Sequence, residues 1–217
     1  MNIFSPAKRN VELRRKLTPK DDPILLYVGR LTPEKDLEDL ITVDRILRIK
    51  KQKFKMVIVG DGPMRTQLQR ELPDATFTGF LYGESLPEVY ASSDIFVFPS
   101  TTETFGNVIL EAYASGLPVV GVNEGGVVDL IQDGCTGFIS PGRDTQDIAT
   151  KVIVLLSDPD LRHECSRNAL KFAGQFRWDT INKQLISSYK RIIERHSNIH
   201  SNLCQLKPQL GINQTIK

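Results

Sequence analysis

Two cations and two carboxylates, set in loops that each follow a short apolar run, are the residues of this 217-residue sequence best placed to do chemistry. The first loop reads Gly29-Arg30-Leu31-Thr32-Pro33-Glu34-Lys35: a glycine that lets backbone approach a ligand, then two cations at a helix start. An arginine fork and a lysine point charge together suit a diphosphate better than two stray surface charges. The second loop, Pro99 to Val108, runs into a helix through Glu111 and Ala112 and ends at Gly116-Leu117-Pro118. Free N–H groups of Phe105, Gly106, Asn107 and Val108 would form an anion site there, reinforced by the helix dipole. Glu103 and Glu111 are expected to flank that site, the first ahead of the helix and the second about two turns into it. Glu103 alone reads equally as a helix-start charge, whereas Glu111 between apolar Leu110 and Ala112 is harder to explain as surface. A third loop carries Gly125-Gly126 ahead of an expected helix, where small residues admit a ligand or simply a tight turn.

Other motifs fit structural roles better. Asp158-Pro159-Asp160 has the form of a metal-holding pair, but an aspartate before proline and a helical pattern reads as an N-cap. Gly60-Asp61-Gly62 follows an apolar run, yet Arg65 stands where a dinucleotide fingerprint needs its third glycine. The basic run Arg45 to Lys55 lies at the end of a helical pattern, where cations suit the dipole. His163, His196 and His200 stand away from every strand end, Cys135, Cys165 and Cys204 lack metal-ligand spacing, and no nucleophile elbow occurs. No metal site is expected. Asn213-Gln214-Thr215 is formally a glycosylation sequon and reads as chance.

The elements that must position these loops are legible from apolar patterning. Runs at 24–28, 56–59, 75–78, 95–98, 118–122 and 137–140 are apolar almost throughout, as strands buried on both faces require. Helical periodicity fills the gaps, with Leu37, Leu40, Ile41, Asp44 and Leu47 in the first and Pro63 at the start of the second. The alternation predicts an α/β domain with a doubly wound parallel sheet. Three further helices are expected at 145–157, 159–174 and 178–195, with residues 196–217 a loose tail and residues 1–21 without a clear element. With 28 basic against 26 acidic residues the chain has no global field for nucleic acid, and no apolar run approaches the roughly 20 residues of a membrane span. The start lacks a secretory h-region and the three cysteines are scattered, so a cytoplasmic chain is expected.

Taken together, GRLTPEK, the spaced pair in ETFGNVILE, the following AYASGLPVV, the double glycine and DGCTGF resemble the carboxy-terminal domain of family 4 retaining glycosyltransferases, which have the two-domain GT-B fold. The resemblance covers about 22–195 and rests on five motifs in the same order. It implies a Rossmann-like half of a GT-B fold whose donor is a nucleoside diphosphate sugar, with no tightly bound cofactor and no required metal. It implies further that Arg30 and Lys35, reached through Gly29, hold the donor phosphates and that Glu111 bonds the ribose hydroxyls. Glu103 with the backbone of Phe105, Gly106 and Asn107 would position the sugar, and the base would lie near Gly79, Phe80 and Leu81. Asp129 departs from the glutamate that relatives commonly carry after the double glycine. Ile3-Phe4-Ser5-Pro6 resembles the end of an interdomain linker, so the amino-terminal domain that supplies the acceptor site is expected to be missing here or carried by another chain, and the isolated chain to be inactive. A sugar-nucleotide sensor and a GT-B-shaped epimerase are the alternatives, because both need the same phosphate and glutamate set.

Overall fold

Strands that are apolar on both faces are satisfied only between layers of helix, and six of them here lie side by side, all parallel. They are β1 (Ile24–Val28), β2 (Lys55–Val59), β3 (Thr76–Gly79), β4 (Ile95–Phe98), β5 (Val119–Val122) and β6 (Gly137–Ser140). Their spatial order is β3-β2-β1-β4-β5-β6. The central strands β1, β4 and β5 are buried along their whole length, whereas the edge strands β3 and β6 keep Thr76, Phe77, Thr78, Phe138 and Ile139 half-exposed. The computed structural model describes residues 3–176 and 178–206.

The chain divides into two compact units, Met1–Gly174 and Gln175–Lys217. In the first, helices α2 (Glu38–Ile49), α3 (Arg65–Glu71), α4 (Ser85–Ala91), α5 (Asn107–Ala114), α6 (Thr145–Ser157) and α7 (Pro159–Ala173) connect and cover the strands. α2 packs on α3 and α6, and α5 on α4 and α7. Asp158 caps α7 by accepting the Leu161 N–H at 2.9 Å, the structural role expected of it. The order reverses between β1 and β4, so the crevice beyond the carboxyl ends of those two strands is where an open sheet of this kind receives a ligand.

Three expectations are corrected. Residues 1–21 carry a 3₁₀ turn, Pro6–Lys8, and a helix α1 (Val11–Leu17). Asn10 caps α1 by accepting the Leu13 N–H at 3.0 Å. Its buried face is Arg14 and Leu17, so no apolar periodicity reveals it. Arg14 is buried and donates to Asp94 at 2.7 Å, to the Ser92 carbonyl at 2.9 Å and to Asp21 at 2.8 Å. A buried guanidinium so satisfied pins the segment to the sheet, because breaking one partner leaves an uncompensated charge. The double glycine forms the first two residues of a 3₁₀ turn, Gly125–Val127, and no helix follows it directly, glycine being a poor helix former. The second unit holds α8 (Trp178–Leu206), which passes the expected end at 195 because the next helix breaker in the sequence is Pro208. The remainder of the expected tail, 207–217, lies outside the described residues.

Candidate functional site

The loop after β1 is laid against the loop after β2: Gly29 N–H donates to the Val59 carbonyl at 3.0 Å and Leu31 N–H to the Asp61 carbonyl at 2.9 Å. Side chains at Gly60 and Gly62 would collide with the Gly29 and Leu31 carbonyls, so this glycine pair serves backbone packing and not a dinucleotide. A Cβ at Gly29 would lie 2.6 Å from the Tyr27 hydroxyl, which donates to the Arg30 carbonyl. Beyond it a 3₁₀ turn, Pro33–Lys35, ends at Asp36 in the left-handed conformation, φ 51°. The Asp36 carboxylate accepts the Thr101 N–H at 2.9 Å and the Thr101 hydroxyl at 2.7 Å, while the Thr102 hydroxyl donates to the Glu34 carbonyl at 2.6 Å. These bonds join the β1 loop to the β4 loop across the crevice.

Joining the loops brings Lys35 to Glu103. The ammonium lies 2.9 Å from Glu103 Oε2, with both side chains mostly buried, and 6.0 Å from the centroid of the Phe98 ring. Glu103 Oε1 accepts the Gly106 N–H at 3.3 Å. Burial works against the Glu103 charge, but the hydrogen bond and charge of Lys35 and the N–H groups of Gly106 and Phe105 outweigh it, and the carboxyl is held below its ordinary range. Two of the four expected anion-binding N–H groups are thus turned to Glu103. Those of Asn107 and Val108 meet no acceptor among the described residues. Gly106, at φ 82°, stops α5 from extending further back, so Glu111 stands one turn into the helix, about 6 Å along it, and not two. Gly126 N–H donates to the Glu103 carbonyl at 2.7 Å, and side chains at Gly125 or Gly126 would strike the backbone of Glu103 or Thr104. The double glycine therefore allows the β4 and β5 loops to lie in contact.

Glu111 is half-buried, and its Oε2 accepts the hydroxyl of Tyr90 at 3.0 Å. Burial pushes its carboxyl above the ordinary range, with the Tyr90 hydrogen bond opposing that rise. Arg30 is 68% exposed and pairs with Glu34 at 3.4 Å, so its fork is available at the rim of the crevice. Phe80 is exposed and Leu81 half-exposed in the loop after β3, where the Phe80 ring lies 6.3 Å from that of exposed Tyr82. Phe105 is also exposed, beside the start of α5. Sequence spacing brings out neither Asp36 nor Tyr90. Asp36 reads as an ordinary helix-start charge, and Tyr90 stands 21 positions from its partner on another helix. No group of three or more metal-ligating side chains occurs among the described residues.

A crevice with an arginine fork at its rim, a lysine–glutamate pair at its floor, two unaccepted N–H groups at a helix start and a half-buried glutamate one turn on can hold a phosphorylated, hydroxyl-bearing ligand. Residues 9–172 match the family described as glycosyl transferases group 1. The chain is 38% identical over 183 residues to the sulfoquinovosyl transferase of Arabidopsis thaliana, covering 81% of this chain and 35% of that one. It is 37% identical over 191 residues to a GDP-mannose-dependent alpha-mannosyltransferase of Corynebacterium glutamicum, covering 88% of this chain and 45% of that one. Among solved structures, Anabaena HepE in complex with UDP and glucose superposes with a TM-score of 0.75 at 26% identity, covering 87% of this chain and 54% of that one. The chain therefore spans about a third to a half of the length of those two curated relatives.

Proposed function

Since the chain belongs to the group 1 glycosyl transferases, we propose that it is the donor-binding part of a retaining transferase that moves a sugar from a nucleoside diphosphate to an acceptor hydroxyl. The observation that carries this reading is the Lys35–Glu103 pair set against the start of α5 at the point where the strand order reverses. Arg30 and Lys35 take the phosphates, with the Asn107 and Val108 N–H groups completing the anion site. Glu111 takes the ribose hydroxyls, and Glu103 with the backbone at Phe105 to Asn107 orients the sugar. The base lies over Gly79, Phe80 and Leu81. The C–O bond to the phosphate breaks with its electron pair passing to the diphosphate, and the acceptor oxygen bonds the same carbon and yields its proton to the departing diphosphate. Two cations with a helix N-terminus stabilise the leaving group's charge without calling on a metal ion. The acceptor is met by an amino-terminal domain, and the chain alone binds donor without appreciable turnover, since one wall of a cleft neither orients an acceptor nor excludes water. This chain's relatives named for GDP-mannose and the HepE complex with UDP support a nucleotide-sugar donor.

Calorimetry with a nucleoside and its diphosphate tests the phosphate assignment. Arg30→Ala and Lys35→Ala should each weaken diphosphate binding by about 1.5–3 kcal/mol while leaving the nucleoside unchanged. Equal losses for both ligands would show that these side chains support the loops and not the phosphates.

A further inference from the structure

Glu111 carries a polar contact that its place beside the ribose does not by itself explain. Tyr90 is fully buried on α4, stacked on Phe96 with ring centroids 5.7 Å apart, and its hydroxyl reaches Glu111 Oε2 at 3.0 Å. The edge contact that completes its surroundings comes from the amino-terminal segment: the Phe4 and Tyr90 rings meet at 5.4 Å and 88°. That segment is fastened along α4. Lys8 pairs with Glu84, Asn10 Nδ2 donates to Glu88 Oε2 at 3.1 Å, and Asn10 N–H donates to the Ser92 hydroxyl at 3.0 Å. Ser92 returns a bond to the Asn10 carbonyl at 3.3 Å.

We infer that Tyr90 is the positioning residue of the ribose subsite, and that Phe4 to Asn10 is a built part of that subsite because it holds α4 and the Tyr90 ring in place. The inference rests on the reading that Glu111 takes the ribose. A glutamate has three rotatable bonds, and fixing them at the moment of binding costs affinity. A donor that holds one carboxylate oxygen beforehand leaves the group oriented for a pair of vicinal hydroxyls. The phenol suits this task, since its burial and the neighbouring Glu111 charge raise its pKa, suppress its ionisation and keep it a donor. Its aromatic contacts, Phe96 on one side and Phe4 on another, fix the ring from which the hydroxyl projects.

The test compares UDP and GDP with their 2′-deoxy counterparts on the 217-residue chain and its variants. The wild-type chain should prefer the ribonucleotide by about tenfold or more, the value of a hydrogen bond to a charged group. Tyr90→Phe removes only the hydroxyl and should cut the preference to about two- or threefold, with the 2′-deoxy ligand bound nearly as before. Phe4→Ala, at a half-exposed ring, should lower the same ratio in part and provides a second route should Tyr90→Phe fold poorly. A purely structural role for Tyr90 and Phe4 lowers melting temperature but leaves the ratio untouched, and that result overturns the inference. A wild-type chain that binds both sugars equally overturns the Glu111 assignment beneath it instead.

Discussion

Glu103→Gln should tighten the binding of a free nucleoside diphosphate while abolishing the extra affinity that the attached sugar provides. In the structure the Lys35 ammonium is already engaged at 2.9 Å by Glu103 Oε2, and a phosphate must share that ammonium with the carboxylate. An ammonium has three donors, so both can be served, but their like charges then lie on the order of 5 Å apart and repel by roughly 3 kcal/mol at an effective dielectric near 20. Solvent at a partly open crevice and counter-ions should reduce this to about 1–2 kcal/mol, or 5- to 30-fold in Kd. Glutamine keeps one carbonyl oxygen, enough for Lys35 or for the Gly106 N–H but not for both, while the Asp36 bonds to Thr101 still join the two loops. Titration calorimetry of both proteins with UDP, GDP and their hexose conjugates reads the two effects separately. Weaker binding of the bare diphosphates by the variant would refute the reasoning, showing that the Glu103 charge serves to hold Lys35 in place. Unchanged binding would remove Lys35 from the phosphates altogether.

The coupling behind that prediction was not legible in the sequence, although both residues were. The strands were readable because β1, β4 and β5 are buried on both faces and so have to be written in apolar residues throughout. Candidate residues were readable because they sit at the carboxyl ends of those runs. That Lys35 meets Glu103 depends instead on Asp36 reaching Thr101 across the crevice, a contact between residues 65 positions apart. A left-handed aspartate leaves no mark on hydrophobic period. α1 escaped for a related reason: its inward face is largely the guanidinium of Arg14, polar in the sequence and satisfied only when Ser92 and Asp94 are brought to it. Gly106 likewise set the start of α5 later than the charge pattern suggested, through a positive φ that composition does not encode.

Substitutions at Asp36, Gly126 and Glu111 probe the frame and the remaining glutamate. Asp36→Ala should destabilise more than Asp36→Gly by about 1 kcal/mol in urea titration, because alanine keeps the left-handed strain that glycine relieves while both lose the Thr101 bonds. Equal stability of the two variants would deny that the conformation matters. Gly126→Ala should cost about 1–3 kcal/mol and displace the β4 loop, since the new methyl meets the rigid Thr104 carbonyl, while Gly174→Ala, with open space around it, serves as a neutral control. The last substitution separates stability from binding. Glu111 has its pKa raised by burial, so the folded chain holds that proton more tightly than the unfolded one. Its contribution to stability is present at low pH and lost as pH rises through the folded value. Glu103 is shifted the other way, and its contribution is present at neutral pH and lost on acidification. Glu111→Gln should therefore raise the melting temperature at pH 7 while weakening ribonucleotide binding, whereas Glu103→Gln should lower the melting temperature. A lowered melting temperature for Glu111→Gln at pH 7 would mean that its charge supports the fold, and that Tyr90 and the α5 start more than repay the burial of that carboxylate.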